Sequence, residues 1–276
     1  MADFAQKHNI KKLFIGYGNL PAKTFFDPKG TDKESSIFLD PQILDRYEVE
    51  GDDYENWKKL YIDKKLQNLP IGQARKVTTK LKLQRFLQVL SCYFERAFGF
   101  ISDYSYRFGK NNFTSVDVEY SDNIPSDYIF FPMQVSTDAQ IILNYEKQSV
   151  IVGLIEAIQL AKKAGKKLVV KPHPAEINHV AIEAMNDLRN KHSFILTNQN
   201  TFKLIQNSAE VITINSTVGL EARIAEKKVT FLGDSIYKKM TDQQMKNYIM
   251  KYLIEIEYFS QEKIDEGTLN KVLKRA

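Results

Sequence analysis

Four short clusters hold the residue types that do chemistry. In Pro132-Met133-Gln134-Val135-Ser136-Thr137-Asp138 an amide and a carboxylate stand four apart as an apolar run gives way to polar residues. At that spacing both can converge on one ligand, with the carboxylate as nucleophile or base, or the aspartate can simply cap the following turn. In Lys171-Pro172-His173-Pro174-Ala175-Glu176 a histidine sits between two prolines, which restrict its backbone to extended forms. Lys171 and His173 are two donors suited to an anionic phosphate, unless the histidine only closes a loop. Asn215-Ser216-Thr217-Val218-Gly219-Leu220-Glu221 is a small hydroxylated loop opening a helix, which suits either an anion cradle or an ordinary helix cap. Gly16-Tyr17-Gly18-Asn19-Leu20-Pro21, with Asp27-Pro28-Lys29-Gly30, offers close backbone approach and an aspartate able to meet a sugar hydroxyl, although turn formation explains most of it. His8, His179 and His192 have no comparable setting and read as surface residues.

The elements that must position these clusters follow from periodicity. YIFFPMQ from Tyr128, KKLVVKPH at 166–173, SFILT at 193–197, AEVITIN at 209–215 and KKVTFLG at 227–233 read as five strands. Helical patterns at about 149–163 and 177–190, and shorter ones from Thr201 and Val218, fill the gaps. That rhythm predicts βα units around a parallel sheet covered on both faces, with ligands at the carboxyl ends of the strands. Before residue 125 the reading is thinner: one strand in KKLFIGYG at 11–18, turn chemistry in DPKGTD at 27–32, and helical spacing at Tyr54–Leu66 and Thr79–Phe98. Residues 109–127 read as a polar linker or exposed loop. The tail from about Asp242 to Arg275 has two helical patterns, the first apolar at Met245, Tyr248, Ile249 and Leu253, suited to packing back on another domain.

Composition excludes several classes. A net charge of +5 spread along the chain gives no basic arm, so nucleic acid is not an expected partner. The single cysteine, Cys92, allows neither a disulfide framework nor a cysteine metal site, and suits a reducing cytoplasm. No apolar run reaches the roughly 20 residues of a membrane span. GxxxxGK[ST] is absent, and no GxGxxG follows a strand, which weakens kinase, NTPase and ordinary dehydrogenase readings.

Taken together, FFPMQVSTDAQI, LVVKPHPAE and EVITINSTVGLEARIAEKKVTFLGDSIY resemble the C-terminal domain of bacterial capsular polysaccharide synthesis proteins, the β-Kdo transferases that use CMP-Kdo. GYGNLPAKTFFDPKG is similar to the same family's glycine, proline and DPKG pattern. The resemblance implies an α/β, GT-B-like fold of two Rossmann-like halves, a reduced N-terminal half (1–125) and a parallel-sheet nucleotide-binding half (126–240), followed by C-terminal helices (241–276). It implies Gln134 and Asp138 as a QxxxD pair, with Asp138 the catalytic carboxylate of a retaining transfer at the anomeric carbon and His173, the other catalytic residue, in contact with the CMP phosphate. Lys171, Pro174, Asn215, Ser216, Thr217 and Glu221 would complete the donor site, and Gly18 and Asp27 would lie toward the acceptor. No metal and no cofactor are expected beyond the CMP-Kdo donor. The acceptor would be a glycan or lipid-linked glycan, met in the cytoplasm with a peripheral contact at the inner membrane left open. Only about ten residues precede the first strand, so the N-terminal half is reduced or the chain is incomplete. IGYGNLP also lacks the acidic or asparagine residue expected near its first glycine. A non-catalytic partner subunit of a capsule assembly complex and a UDP-sugar epimerase are the competing readings.

Overall fold

The computed structural model describes residues 2–67, 118–260 and 263–276. The helix expected at Thr79–Phe98 with its Cys92, and positions 109–117 of the expected linker, lie outside the described residues. In chain order the helices are α1 Ala2–Lys7, α2 Ser36–Leu39, α3 Asp53–Leu66, α4 Ala139–Asn144, α5 Val150–Lys163, α6 His179–His192, α7 Thr201–Asn207, α8 Thr217–Ile224, α9 Ile236–Lys239, α10 Asp242–Asn247 and α11 Glu266–Leu273. The strands are β1 Phe14–Tyr17, β2 Thr24–Asp27, β3 Tyr128–Pro132, β4 Lys167–Lys171, β5 Ile195–Leu196, β6 Glu210–Thr213 and β7 Lys228–Phe231.

The last five strands form one sheet in the order β5-β4-β3-β6-β7, and every pairing is parallel. Chain order therefore reverses beside β3, which makes the gap between the carboxyl ends of β3 and β6 the topological switch point where such sheets receive ligands. Period-two alternation sends the two halves of YIFF to opposite faces, and both faces are covered. Tyr128 and Phe130 join one buried cluster with Val169 and Val211, while Ile129 and Phe131 join another with Val170 and Ile212.

The second cluster is closed by α5, whose buried positions Val150, Gly153, Leu154, Ala157, Ile158 and Ala161 recur at helical spacing. Ser149 accepts from the Val152 N–H and starts that helix, and Gly165 at φ 66° follows its end. Gly153 lets α5 lie against the sheet, because a Cβ there would sit 2.7 Å from Ile214. β5 is shorter than the SFILT run: Ser193 takes the left-handed conformation (φ 54°) to end α6, and Thr197 donates to Val170 O just past the strand.

Among the described residues the N-terminal segment holds no second parallel sheet. It forms a two-stranded antiparallel ribbon in which Phe14 pairs with Asp27 and Tyr17 with Thr24. β2 was not expected from the sequence. The tail extends this ribbon through reciprocal Thr24 and Ile254 backbone bonds of 2.9 and 3.0 Å. Met245, Tyr248, Ile249 and Leu253 are all buried, in the same cluster as Leu20, Phe25, Ile37 and Leu44. No helix among the described residues is long and apolar enough to cross a membrane.

Ribbon and tail meet at Asp27, whose side chain is fully enclosed. One carboxylate oxygen accepts from the N–H groups of Lys29 (2.8 Å) and Gly30 (3.2 Å), and the other from Ser36 Oγ (2.5 Å) and Tyr252 OH (2.7 Å). The Ser36 N–H donates to both oxygens, at 3.1 and 2.9 Å. Burial pushes the Asp27 carboxyl up, but these hydrogen bonds outweigh it and hold its pKa below the ordinary carboxylate value. A carboxyl depressed in this way binds its proton less readily folded than unfolded. Its stabilisation is therefore present above the unfolded pKa and lost as pH falls through the folded one. Asp27→Asn should cost on the order of 3 kcal/mol near neutral pH in urea unfolding, with the gap to the wild type closing below about pH 4. A gap independent of pH would show that the charge is not what the pocket holds.

Candidate functional site

The chain leaves β3 with the Met133 N–H still bonded to Lys171 O at 2.9 Å, and the next side chain, Gln134, is buried at the switch point. Its Nε2 donates to Asn215 Oδ1 (2.9 Å) and to Asp138 Oδ2 (3.1 Å). Its Oε1 accepts from the Asn215 N–H at 3.3 Å, while Asn215 Nδ2 donates to Gln140 O at 2.8 Å. Asp138 Oδ1 accepts from the Gln140 N–H at 2.9 Å and thereby caps α4. Gln134, Asp138 and Asn215, from two different loops, are thus brought together, and capping a helix leaves Asp138 at the switch point. It caps a helix and it is a partly exposed carboxylate with each oxygen oriented by a neutral donor. Such a group can attack, or stabilise, an electron-poor carbon in the crevice.

The β4 loop is fastened to the β3 loop by Glu176. Its Oε2 accepts from the Ser136 N–H at 2.6 Å, and its Oε1 from Ser136 Oγ (3.2 Å) and the Asn178 N–H (2.8 Å). Asn178 Nδ2 adds a bond to Ser136 Oγ at 3.2 Å. Sequence reasoning assigned Glu176 no role; the available signal was an acid placed just before the N-cap of α6. His173 and Pro174 on this loop are exposed. The His173 Nδ1 accepts from the Ala175 N–H at 3.1 Å, which in the neutral ring leaves the proton on Nε2, a donor for an anion.

Lys171 goes elsewhere. Its Nζ donates to Gln199 O (2.6 Å) and Thr201 Oγ1 (3.0 Å) at the start of α7. Burial lowers its pKa, with the Glu221 charge acting in the opposite sense. Glu221 is likewise directed away from the loop that precedes it: buried, it accepts from Lys65 Nζ at 2.6 Å and Tyr61 OH at 3.4 Å, both on α3. The two residues expected at the donor therefore tie α7 and α8 to their surroundings. Ser216 Oγ accepts from the Val218 N–H at 3.2 Å as the cap of α8, and Thr217 is the first residue of that helix.

On the N-terminal side the expected acceptor residues are occupied by the fold. Gly18 is buried, and a Cβ there would lie 2.4 Å from Lys23 O, so it serves a tight turn. Asp27 is enclosed and saturated, as described above. The segment instead reaches the sheet loops through Asn19 Nδ2, which donates to Tyr237 OH at 2.9 Å, and Asp32 Oδ2, which accepts from Gln140 Nε2 at 3.0 Å.

Comparison with known proteins adds a family and a fold. Residues 98–251 match the family model described as capsule polysaccharide biosynthesis protein. Protein FixF of Sinorhizobium fredii is 33% identical over 139 residues, a match covering 48% of this chain and 31% of FixF. The chain thus spans about a third of that relative's length. Among solved structures, the Thermosulfurimonas dismutans KpsC β-Kdo 2,4 transferase matches with a TM-score of 0.58 at 14% identity, covering 99% of this chain and 82% of that one. The β-Kdo 2,7 transferase of the same organism's KpsC matches with a TM-score of 0.51 at 15% identity, covering 99% and 83%. At these identities the likeness is one of fold.

Removing the Glu176 clamp should loosen both loops. Glu176→Ala leaves the Ser136 and Asn178 N–H groups without their acceptor. The expected cost is about 1–2 kcal/mol, with faster amide exchange at both positions. Unaltered exchange there would mean that the loops are held by something else.

Proposed function

We propose that this chain, which belongs to the capsule polysaccharide biosynthesis family, transfers Kdo or a related acidic sugar from a CMP-activated donor to a glycan or glycolipid acceptor with retention of configuration. The observation that carries the reading is the Gln134, Asp138 and Asn215 constellation at the sheet's switch point. The fold shared with the β-Kdo 2,4 and 2,7 transferases of Thermosulfurimonas dismutans KpsC supports the choice of sugar. A lipid-linked acceptor would be met from the cytoplasmic side of the inner membrane.

The chemistry follows from the charges. In the first step the bond from the anomeric carbon to the CMP phosphate oxygen breaks, and its electron pair leaves with the phosphate. The Nε2 of His173, with Ser216, Thr217 and the N-terminal end of α8, meets the negative charge that develops there. The anomeric carbon becomes cation-like, and Asp138, held by Gln134 and Gln140, closes on it to form a glycosyl ester. In the second step a base takes the proton of an acceptor hydroxyl, whose oxygen bonds to the same carbon and displaces the Asp138 carboxylate. Two inversions at one carbon give net retention.

The test begins with thermal shifts against CMP, UDP, GDP and ADP. Selective stabilisation by CMP is expected, by about 2.7 kcal/mol at a hundred times its dissociation constant. Asp138→Asn keeps an oxygen for the Gln140 N–H, so it should retain CMP binding while abolishing CMP release from CMP-Kdo. Stabilisation by UDP alone, with a sugar isomerised in the absence of acceptor, would replace the reading with an epimerase. Silence toward all four nucleotides would leave a non-catalytic partner subunit. His173→Ala should weaken CMP binding roughly tenfold, about 1.4 kcal/mol.

A further inference from the structure

We infer that Asp32 is the acceptor-side base of this site, the carboxylate that takes the proton from the incoming hydroxyl when the Asp138 ester is resolved. The inference rests on the transferase reading above and adds a residue that neither the motifs nor the family resemblance singled out.

The argument starts from Gln140. Its N–H holds Asp138 Oδ1, its carbonyl is held by Asn215 Nδ2, and its side-chain Nε2 donates to Asp32 Oδ2 at 3.0 Å. One residue therefore binds two carboxylates that arrive from opposite parts of the chain, Asp138 from the sheet and Asp32 from the turn after β2. The turn is fixed a second time by Lys33 Nζ, which donates to Leu143 O at 2.6 Å on the same short helix. Asp32 is partly exposed, and its Oδ1 has no hydrogen bond to any described residue, so one oxygen is anchored and the other is available.

Its backbone is in the left-handed region at φ 50°, a conformation that aspartate tolerates better than most residues and that is retained where the surroundings demand it. A neutral phenol lies close enough to feel the Asp32 charge. The Tyr237 phenol, bonded by Asn19, is kept protonated by burial, which pushes its pKa up to about 12, and the Asp32 charge adds to the rise. A carboxylate beside neutral hydroxyl and amide groups suits the recognition of a sugar hydroxyl.

In the proposed step the acceptor O–H proton passes to Asp32 Oδ1 while the acceptor oxygen bonds to the anomeric carbon. The bond from that carbon to the Asp138 oxygen breaks, and its electron pair restores the Asp138 carboxylate. Water can take the acceptor's place, so the role is measurable without knowing the natural acceptor.

The experiment follows CMP release from CMP-Kdo above the uncatalysed rate. Asp32→Asn should still give a rapid burst of one CMP per protein and the CMP-induced rise in melting temperature, while steady-state release falls about a hundredfold. Asp32→Ala should behave likewise and regain turnover with sodium azide, which needs no base, yielding the glycosyl azide. Steady-state release by Asp32→Asn within about threefold of the wild type would overturn the inference. So would loss of the burst together with the turnover, since Asp32 would then act only as a strut for Gln140 and Asp138. A wild-type protein that neither binds CMP nor releases it from CMP-Kdo would remove the transferase reading itself.

Discussion

The enclosed carboxylate of Asp27 is the constraint on which the arrangement around the site depends. An isolated buried charge is prohibitive, so the folded state exists only where enough donors converge on it. Those donors come from the turn that follows it, Lys29, Gly30 and Ser36, and from Tyr252 in the tail. Arg275 reinforces the junction by lying over the Tyr252 ring, 4.1 Å from its centroid, while donating to Tyr252 O at 2.6 Å. Satisfying one anion thus fixes the course of residues 27–36 and docks the end of the chain against its beginning.

The site itself is organised by amides. Gln134, Gln140 and Asn215 present donors and acceptors without net charge, so they orient Asp138 without neutralising it. Lys65 is engaged with Glu221 and Lys171 with the start of α7. In the proposed transfer, that would leave the Asp138 charge for the cation-like centre. Neutralising the departing phosphate in that proposed transfer would fall to His173 and the start of α8.

What could be read from the sequence follows from how local each signal is. The five strands of the parallel sheet were legible because burial on both faces leaves continuous apolar runs such as YIFF and LVV. The starts of α5 and α8 were legible because Ser149 and Ser216 are ordinary helix caps. β2 was not, since TFFD is four residues long, buried throughout, and owes its pairing to β1 and the tail. Residue type also misled where partners are distant in sequence. Asp27 is local turn chemistry in DPKG, yet one of its bonds reaches 225 positions along the chain. Glu221 lies in a promising loop motif but is bonded to α3, 156 residues away. Asp32 and Gln140 carry no motif, and their bond spans 108 positions.

The position of Asp138 is consequently a property of tertiary contacts rather than of its own helix. α4 has six residues, too few to be stable alone. Its place is set by Asp138 at its first turn, Asn215 and Asp32 on Gln140, Lys33 on Leu143 O, and the Asp234 N–H on Asn144 O at 2.7 Å. Apart from the Asp138 cap, these contacts come from three separate stretches: the β6 loop, the β7 loop and the turn after β2. Any change that shifts the Asp27 turn is therefore transmitted through Asp32 and Lys33 to the helix that aims the carboxylate. The ribbon and the sheet must be assembled together before the site has its geometry.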